Sequence, residues 1–171
     1  MSRFLSISSS FLAVLVLSVC CIGKGGDSIA YPGAGDPVPP VVLTTLGGDT
    51  VALQSAQGAT LLVFFNVGCG DCRSELPVIE AFHRLHGEQV RVIAVGRDHV
   101  ADEIGSYWKR EGFTMPACAD PGRGIYGCFA SRGIPYLVAV ESGRIIATLP
   151  SMGGAMPTLE DIGSIFGFGE I

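Results

Sequence analysis

Basic charge is scarce in this sequence. Charged residues make up 16% of the 171 residues, and 11 Lys and Arg stand against 16 Asp and Glu, so the formal net charge is −5. A protein that binds nucleic acid needs a patch or stripe of basic residues to face the phosphates. We therefore do not expect a nucleic-acid partner.

Internal repeats and long hydrophobic segments are also missing. The 24 glycines follow no three-residue period, which excludes a collagen-like or repeat protein. The apolar run at residues 11–19 is too short to span a bilayer comfortably as a transmembrane helix. The chain length suits one domain of ordinary size with an extra segment.

The N-terminus has the pattern of an export signal. Arg3 supplies a weak positive region ahead of the apolar run, which predicts a signal peptide over residues 1–19. The order Leu17-Ser18-Val19-Cys20 resembles the lipobox of bacterial lipoproteins, and this resemblance implies that the signal is cut before Cys20, which then carries lipid. Cys21 is a second candidate for lipidation, and an ordinary cleaved signal and a retained anchor are the alternatives.

All of these outcomes place the remaining chain outside the cytoplasm. Residues 20–34 are rich in Gly and lack periodicity, which predicts a flexible tether. The folded domain is predicted over residues 35–171.

Two cysteines with two residues between them, Cys69 and Cys72, are the most informative feature of that domain. They follow a β-rich apolar run at 60–66 and begin a predicted helix that ends at His86. The predicted apolar face of this helix contains Leu76, Ile79, Phe82 and Leu85. Unpaired N–H groups and the positive end of the dipole favour a thiolate at a helix N-terminus. This placement indicates redox chemistry at Cys69.

Patterns along the rest of the chain predict an α/β domain with a mixed sheet. Strands are predicted at 41–46, 51–53, 60–66, 90–96, 136–140 and 144–149, with an extended segment at 113–118. Helices are predicted at 69–86, 99–111 and 158–166, with a helix-like stretch at 120–131.

Several residues resemble a known family in kind and position: Phe65, Cys69-Gly70-Asp71-Cys72, Glu75, Pro77 and Gly133-Ile134-Pro135. The chain resembles the thioredoxin fold, and more closely the TlpA/ResA-like membrane-anchored thiol-disulfide oxidoreductases. The resemblance implies a central mixed sheet flanked by helices, with an added N-terminal β-hairpin. It also implies that Cys69 and Cys72 form the redox-active disulfide, with Cys69 as nucleophile and Cys72 as resolving thiol.

The Ile134-Pro135 peptide bond is predicted to be cis. From the residues alone, a trans proline that starts an edge strand is an equal alternative. The resemblance favours cis, and it implies that Ile134 and Pro135 bind the extended backbone of a substrate. We assign Gly68, which stands where the family often has a large side chain, to the same substrate-binding surface.

Glu75 lies one helical turn after Cys72, where the resemblance implies an active-site acid. If Glu75 is partly buried, its pKa is raised and it can accept the proton that Cys72 loses. The alternative is an exposed glutamate that favours the helix dipole.

Cys118 and Cys128 form a second pair with nine residues between them. A structural disulfide is the leading hypothesis for an exported protein. Two buried thiols and a second redox pair are the alternatives.

No metal site or cofactor is predicted. Cys69 and Cys72 lack a second pair with zinc spacing, and His83 and His86 are interpreted as solvated surface residues. Arg73 follows Cys72 where covalent haem attachment requires His.

The two resemblances together imply a thiol-disulfide oxidoreductase of the bacterial cell envelope, anchored by lipid and facing the periplasm. It is predicted to be a monomer that reduces disulfides of exported proteins, with apocytochromes as one candidate class, and receives electrons from a membrane donor. A non-catalytic binding module and a thiol peroxidase of the related peroxiredoxin branch are the alternatives.

Overall fold

A five-stranded mixed sheet forms the centre of the protein. The structure is a computed structural model that describes residues 30–150 and 156–169. The strands are β1 (Val42–Thr44), β2 (Thr50–Ala52), β3 (Ala59–Phe65), β4 (Val90–Arg97), β5 (Ala117–Asp120), β6 (Tyr136–Glu141) and β7 (Arg144–Pro150). The helices are α1 (Gly70–His86), α2 (Ala101–Glu111) and α3 (Leu159–Ile165). The predicted signal peptide, Cys20, Cys21 and most of the tether lie outside the described residues.

The sheet has the order β5-β4-β3-β6-β7, and β1 and β2 form a separate antiparallel hairpin. Strands β3, β4 and β5 are parallel, whereas β6 is antiparallel to β3 and β7 is antiparallel to β6. This arrangement confirms the predicted thioredoxin fold with an added N-terminal hairpin.

Strand β3 lies at the centre of the sheet because its run of branched and aromatic residues is buried on both faces. One face packs against all three helices through residues such as Leu76, Ile104 and Ile162. The other face is covered by the N-terminal hairpin and the segment before β6, through residues such as Leu43 and Phe129. Because β3 ends at Phe65, the cysteine pair lies just beyond the C-terminal end of this central strand.

Helix α1 has the predicted extent, but the assignment of Leu85 to its buried face is wrong. Leu76 is buried, whereas Leu85 is 55% exposed. Nine residues of α-helix rotate by about 180° beyond whole turns, so a strict spacing of three carries the side chain to the opposite face.

The second half of the domain differs from the predicted elements. The extended segment predicted at 113–118 is a strand only from Ala117, and residues 120–131 contain only a 3-10 turn at Tyr126–Cys128. The Asp120 carboxylate accepts hydrogen bonds from the amides of Ile125 and Tyr126, at 3.1 and 2.8 Å. An acidic side chain that captures local amides in this way competes with helix formation.

The interpretation of His83 and His86 as solvated is also wrong, since both are half-buried. The His86 ring stacks on Phe168, which follows α3, with 4.1 Å between the ring centroids. Within residues 30–150 and 156–169, no three His, Cys, Asp or Glu side chains are grouped as metal ligands. None of the helices in those ranges combines the length and apolar character that crossing a membrane requires.

Candidate active site

Cys69 occupies the N-cap position of α1, directly after the loop that follows β3. Its Sγ accepts a hydrogen bond from the Cys72 amide at 3.3 Å, and its backbone is extended, with φ −82° and ψ 122°. The side chain is half-buried, so a partner can reach the sulfur from solvent. The sequence prediction of a cysteine at a helix N-terminus is therefore correct.

Cys72 lies one turn inside the helix and is fully buried. Burial is the main reason that its pKa is raised above the ordinary value of a thiol, and the hydrogen bond to Cys69 adds to this effect. The two sulfurs are thus chemically different, with one accessible and one shielded. Cys72 needs a proton acceptor before it can attack.

The loop before β6 lies beside Cys69. The Ile134-Pro135 bond is cis, as predicted. The Cys69 thiol donates a weak hydrogen bond to the Ile134 carbonyl oxygen at 3.8 Å, and the Tyr126 hydroxyl donates to the carbonyl oxygen of Gly133 at 2.8 Å. The tertiary structure therefore joins two segments that are 65 residues apart in sequence.

Glu75 is buried, with only 1% of its surface exposed. Its Oε1 has no hydrogen-bond partner among the described residues, and burial raises the pKa of this carboxyl to about 7. The alternative of an exposed glutamate is overturned, because the side chain points into the protein rather than along its surface. An acid with this pKa exchanges protons readily at neutral pH.

Asn66 organises the loop before Cys69, and sequence reasoning gave it no role. Its Oδ1 accepts from the Gly68 amide at 2.8 Å, its carbonyl oxygen accepts from the Cys69 amide at 3.0 Å, and its Nδ2 donates to the Arg97 carbonyl oxygen at 3.1 Å. A Cβ on Gly68 would lie 3.1 Å from Asn66 Oδ1, so the tight loop favours glycine there. A polar residue directly after a buried strand was the available signal.

Comparison with known proteins decides the family. The sequence profile of the Redoxin family matches residues 33–148 of this chain. The chain belongs to the Redoxin family. A thioredoxin-like protein, YneN of Bacillus subtilis (strain 168), is 34% identical over 62 residues. That match covers 36% of each chain, so the chain spans about a third of the length of this curated relative.

Solved structures agree with this assignment. A putative protein disulfide isomerase from Bacteroides thetaiotaomicron is 27% identical with a TM-score of 0.64, and the match covers 71% of this chain and 83% of that one. StoA from Bacillus subtilis has the same TM-score at 23% identity and shows the fold, with 76% of this chain and 99% of StoA covered. This Redoxin family member therefore shares the thioredoxin-like fold of these structures.

Cys118 belongs to the core on the hairpin side of the sheet, and Cys128 packs against that core. Burial raises the pKa of Cys118 to about 12, with a further contribution from the charge of Asp120, and the Cys128 thiol donates to the Gly124 carbonyl oxygen at 3.3 Å. A thiol with such a pKa is a poor nucleophile, which argues against a second redox pair in this state.

The Cys118–Cys128 disulfide remains a prediction because the structure holds both residues as thiols. We expect peptide mapping by mass spectrometry of air-oxidised protein to find a linked peptide that survives mild reduction, while the Cys69–Cys72 bond opens. Two separate thiol peptides after oxidation would overturn the structural disulfide.

Proposed function

We propose that this protein is a thiol-disulfide oxidoreductase that reduces disulfides of exported proteins through Cys69 and Cys72. The observation that supports this function is the position of an accessible sulfur at the N-cap of α1, facing the Ile134 carbonyl of the cis-proline loop, with a buried thiol one turn behind it. A sulfur in this position is open to a disulfide that lies along Gly68 and Ile134.

The reaction proceeds in two exchanges. The Cys69 thiolate attacks one sulfur of the partner disulfide, which forms a mixed disulfide and releases the other partner sulfur as a thiolate. The Cys72 thiolate then attacks Cys69 Sγ, which closes the Cys69–Cys72 disulfide and releases the second partner thiol. Two electrons pass to the partner, and an external dithiol donor must restore the pair.

Glu75 is the proposed proton acceptor of the second exchange. Cys72 is buried and holds its proton strongly, so its attack requires a base nearby. Glu75 follows one helical turn later, is buried on the same helix and has a pKa of about 7. Its carboxylate can take the Cys72 proton and return it to solvent when the partner leaves.

Trapping of the mixed disulfide tests this function. We expect Cys72→Ser, incubated with oxidised extracts of exported proteins, to form adducts that dithiothreitol releases, because Cys69 attacks but the bond is not resolved. Mass spectrometry of the released partners identifies them. The control is Cys69→Ser, which should form no adduct. Equal amounts of adduct with both variants, or no adduct with either, would contradict the proposed roles.

We also propose that the protein acts in the cell envelope, held to the membrane by lipid on Cys20 and supplied with electrons by a membrane donor. Support comes from the sequence, in which a short apolar run precedes Cys20 and a glycine-rich stretch separates it from the domain. Apocytochromes are one candidate class of partner.

Metabolic labelling with radioactive palmitate in a bacterial host checks the anchor. We expect label in the wild type and in Cys21→Ser, but none in Cys20→Ser, since only a cysteine at the cleavage point is acylated. Label that is lost in Cys21→Ser and kept in Cys20→Ser would instead place the lipid on Cys21. An unlabelled wild type would overturn lipid anchoring.

A further inference from the structure

His99 connects the loop before Cys69 to α2, and nothing in the redox chemistry above uses it. Its Nε2 accepts a hydrogen bond from the Val67 amide at 3.1 Å, and its Nδ1 lies 3.0 Å from Oε2 of Glu103. The same carboxylate oxygen accepts from the Val100 amide at 3.2 Å. The imidazole side chain is only 11% exposed.

These partners assign the tautomer of the imidazole. A ring nitrogen that accepts from a backbone amide carries no proton, so the proton of neutral His99 lies on Nδ1 and is donated to Glu103. Glu103 in turn is fixed at the start of α2 by the Val100 amide. Hydrogen bonds from His99, and next from Val100, hold the pKa of the Glu103 carboxyl below its ordinary value. The group therefore stays a carboxylate that can accept the hydrogen bond from His99 Nδ1.

The loop needs such a support. Strand β3 ends at Phe65 and α1 begins at Gly70, so the backbone between them has neither sheet nor helix partners at most positions. Gly68 and Gly70 flank Cys69, and glycine gives a backbone more conformational freedom than any other residue. The amides of Gly68 and Cys69 bond within the loop, to Asn66, whereas the Val67 amide bonds to a side chain of another segment.

We propose that His99 is a positioning residue of the active site, which accepts the Val67 amide and thereby holds residues 66–68 in the conformation that receives the substrate chain beside Cys69. This role rests on the proposed reduction of protein disulfides. A loop that is ordered in advance loses less entropy when substrate binds. The loss of His99 should therefore weaken substrate binding more than it alters the sulfur itself.

Four forms of the protein test this role: wild type, His99→Met, His99→Gln and the matched control His83→Met. Methionine has a similar volume but offers no comparable acceptor, whereas the glutamine Oε1 can take the place of Nε2. His83 lies near the far end of α1 and makes no contact with the loop of residues 66–69 among the hydrogen bonds described. The measurements are KM and kcat for insulin reduction, the alkylation rate of Cys69, and hydrogen exchange of the Val67 amide.

We expect His99→Met to raise KM about tenfold and to accelerate Val67 exchange by about tenfold or more, the scale of one lost backbone hydrogen bond. Alkylation of Cys69 should change by no more than about twofold, because Cys69 keeps its place at the N-terminus of α1. His99→Gln should return KM to within about threefold of wild type. A merely structural role would lower the melting temperature and leave the KM of the folded fraction unchanged.

Two outcomes separate the failure of this inference from the failure of the proposed function. If the wild type reduces insulin and the KM of His99→Met equals that of His83→Met, the positioning role is overturned while the enzyme activity stands. If the wild type reduces no insulin, the proposed function fails and the role for His99 fails with it. Should His99→Met not fold, His99→Phe and Glu103→Gln provide a second pair of variants. Glu103→Gln keeps an acceptor for Nδ1 and should leave KM near the wild-type value, so the deciding substitution is His99→Phe, which keeps a ring but offers no acceptor to the Val67 amide. An unchanged KM in His99→Phe would also overturn the role.

Discussion

Cys69→Ser is expected to abolish insulin reduction, with a fall in kcat/KM of at least about 1000-fold. A serine hydroxyl at the N-cap of α1 preserves the helix cap, but it is not ionised at neutral pH and cannot form a disulfide. Turbidity from reduced insulin with dithiothreitol as the donor gives the rate. The fold should be retained, since the side chain is half-buried and the substitution changes one atom.

Cys118→Ala is the matched control for this loss. Cys118 lies in β5, on the sheet face opposite to the cluster that contains Cys72. The substitution should therefore leave the rate per folded molecule within about twofold of wild type. A residual activity above about a tenth of wild type in Cys69→Ser would show that another thiol acts as the nucleophile. A wild type without activity would favour the alternative of a binding module.

Glu75→Gln is expected to change how stability depends on pH. The carboxyl of Glu75 has a pKa of 4.5 when solvated and about 7 in the fold, because burial disfavours its charged form. Below pH 4.5 the carboxyl is protonated in both the folded and the unfolded chain, so its burial does not lower the free energy of unfolding. As pH rises from 4.5 to 7 the unfolded chain releases this proton first, so the free energy of unfolding decreases, by up to about 3 kcal/mol above pH 7.

Denaturant unfolding at pH 4.5 and pH 8 measures this effect. We expect the wild type to lose up to about 3 kcal/mol more than Glu75→Gln between these pH values, since glutamine does not titrate. Only the difference between the two proteins counts, because other groups titrate in both. Parallel stability curves for the two proteins would show that Glu75 is solvated in solution.

The same variant should slow the second exchange of the reaction. Without a carboxylate to accept the Cys72 proton, we expect kcat to decrease about a hundredfold, whereas formation of the mixed disulfide by Cys69 should be almost unaffected. Stopped-flow measurement of the two steps distinguishes them. Equal slowing of both steps would point to a general distortion of α1 instead.

Patterns among residues close in sequence were sufficient to predict the strand and the helix that hold the candidate active site. The apolar run at β3 and the helical spacing after Cys72 identified the strand, the helix and the cysteine pair between them, because each signal needs only neighbours in sequence. The same reasoning failed for residues 120–131. There the Asp120 carboxylate accepts hydrogen bonds from two amides five and six residues later. Helical propensities do not take such side-chain contacts into account.

The sequence by itself determined the strand, the cysteine pair at a helix N-terminus and the order of accessible and shielded sulfur, since these follow from side-chain period and chain direction. Only the tertiary structure decided that Glu75 is buried with a raised pKa, and that His99 reaches the Val67 amide from 32 residues away. Burial and long-range hydrogen bonds depend on which segments pack together. That information belongs to the folded chain as a whole, not to any window of its sequence.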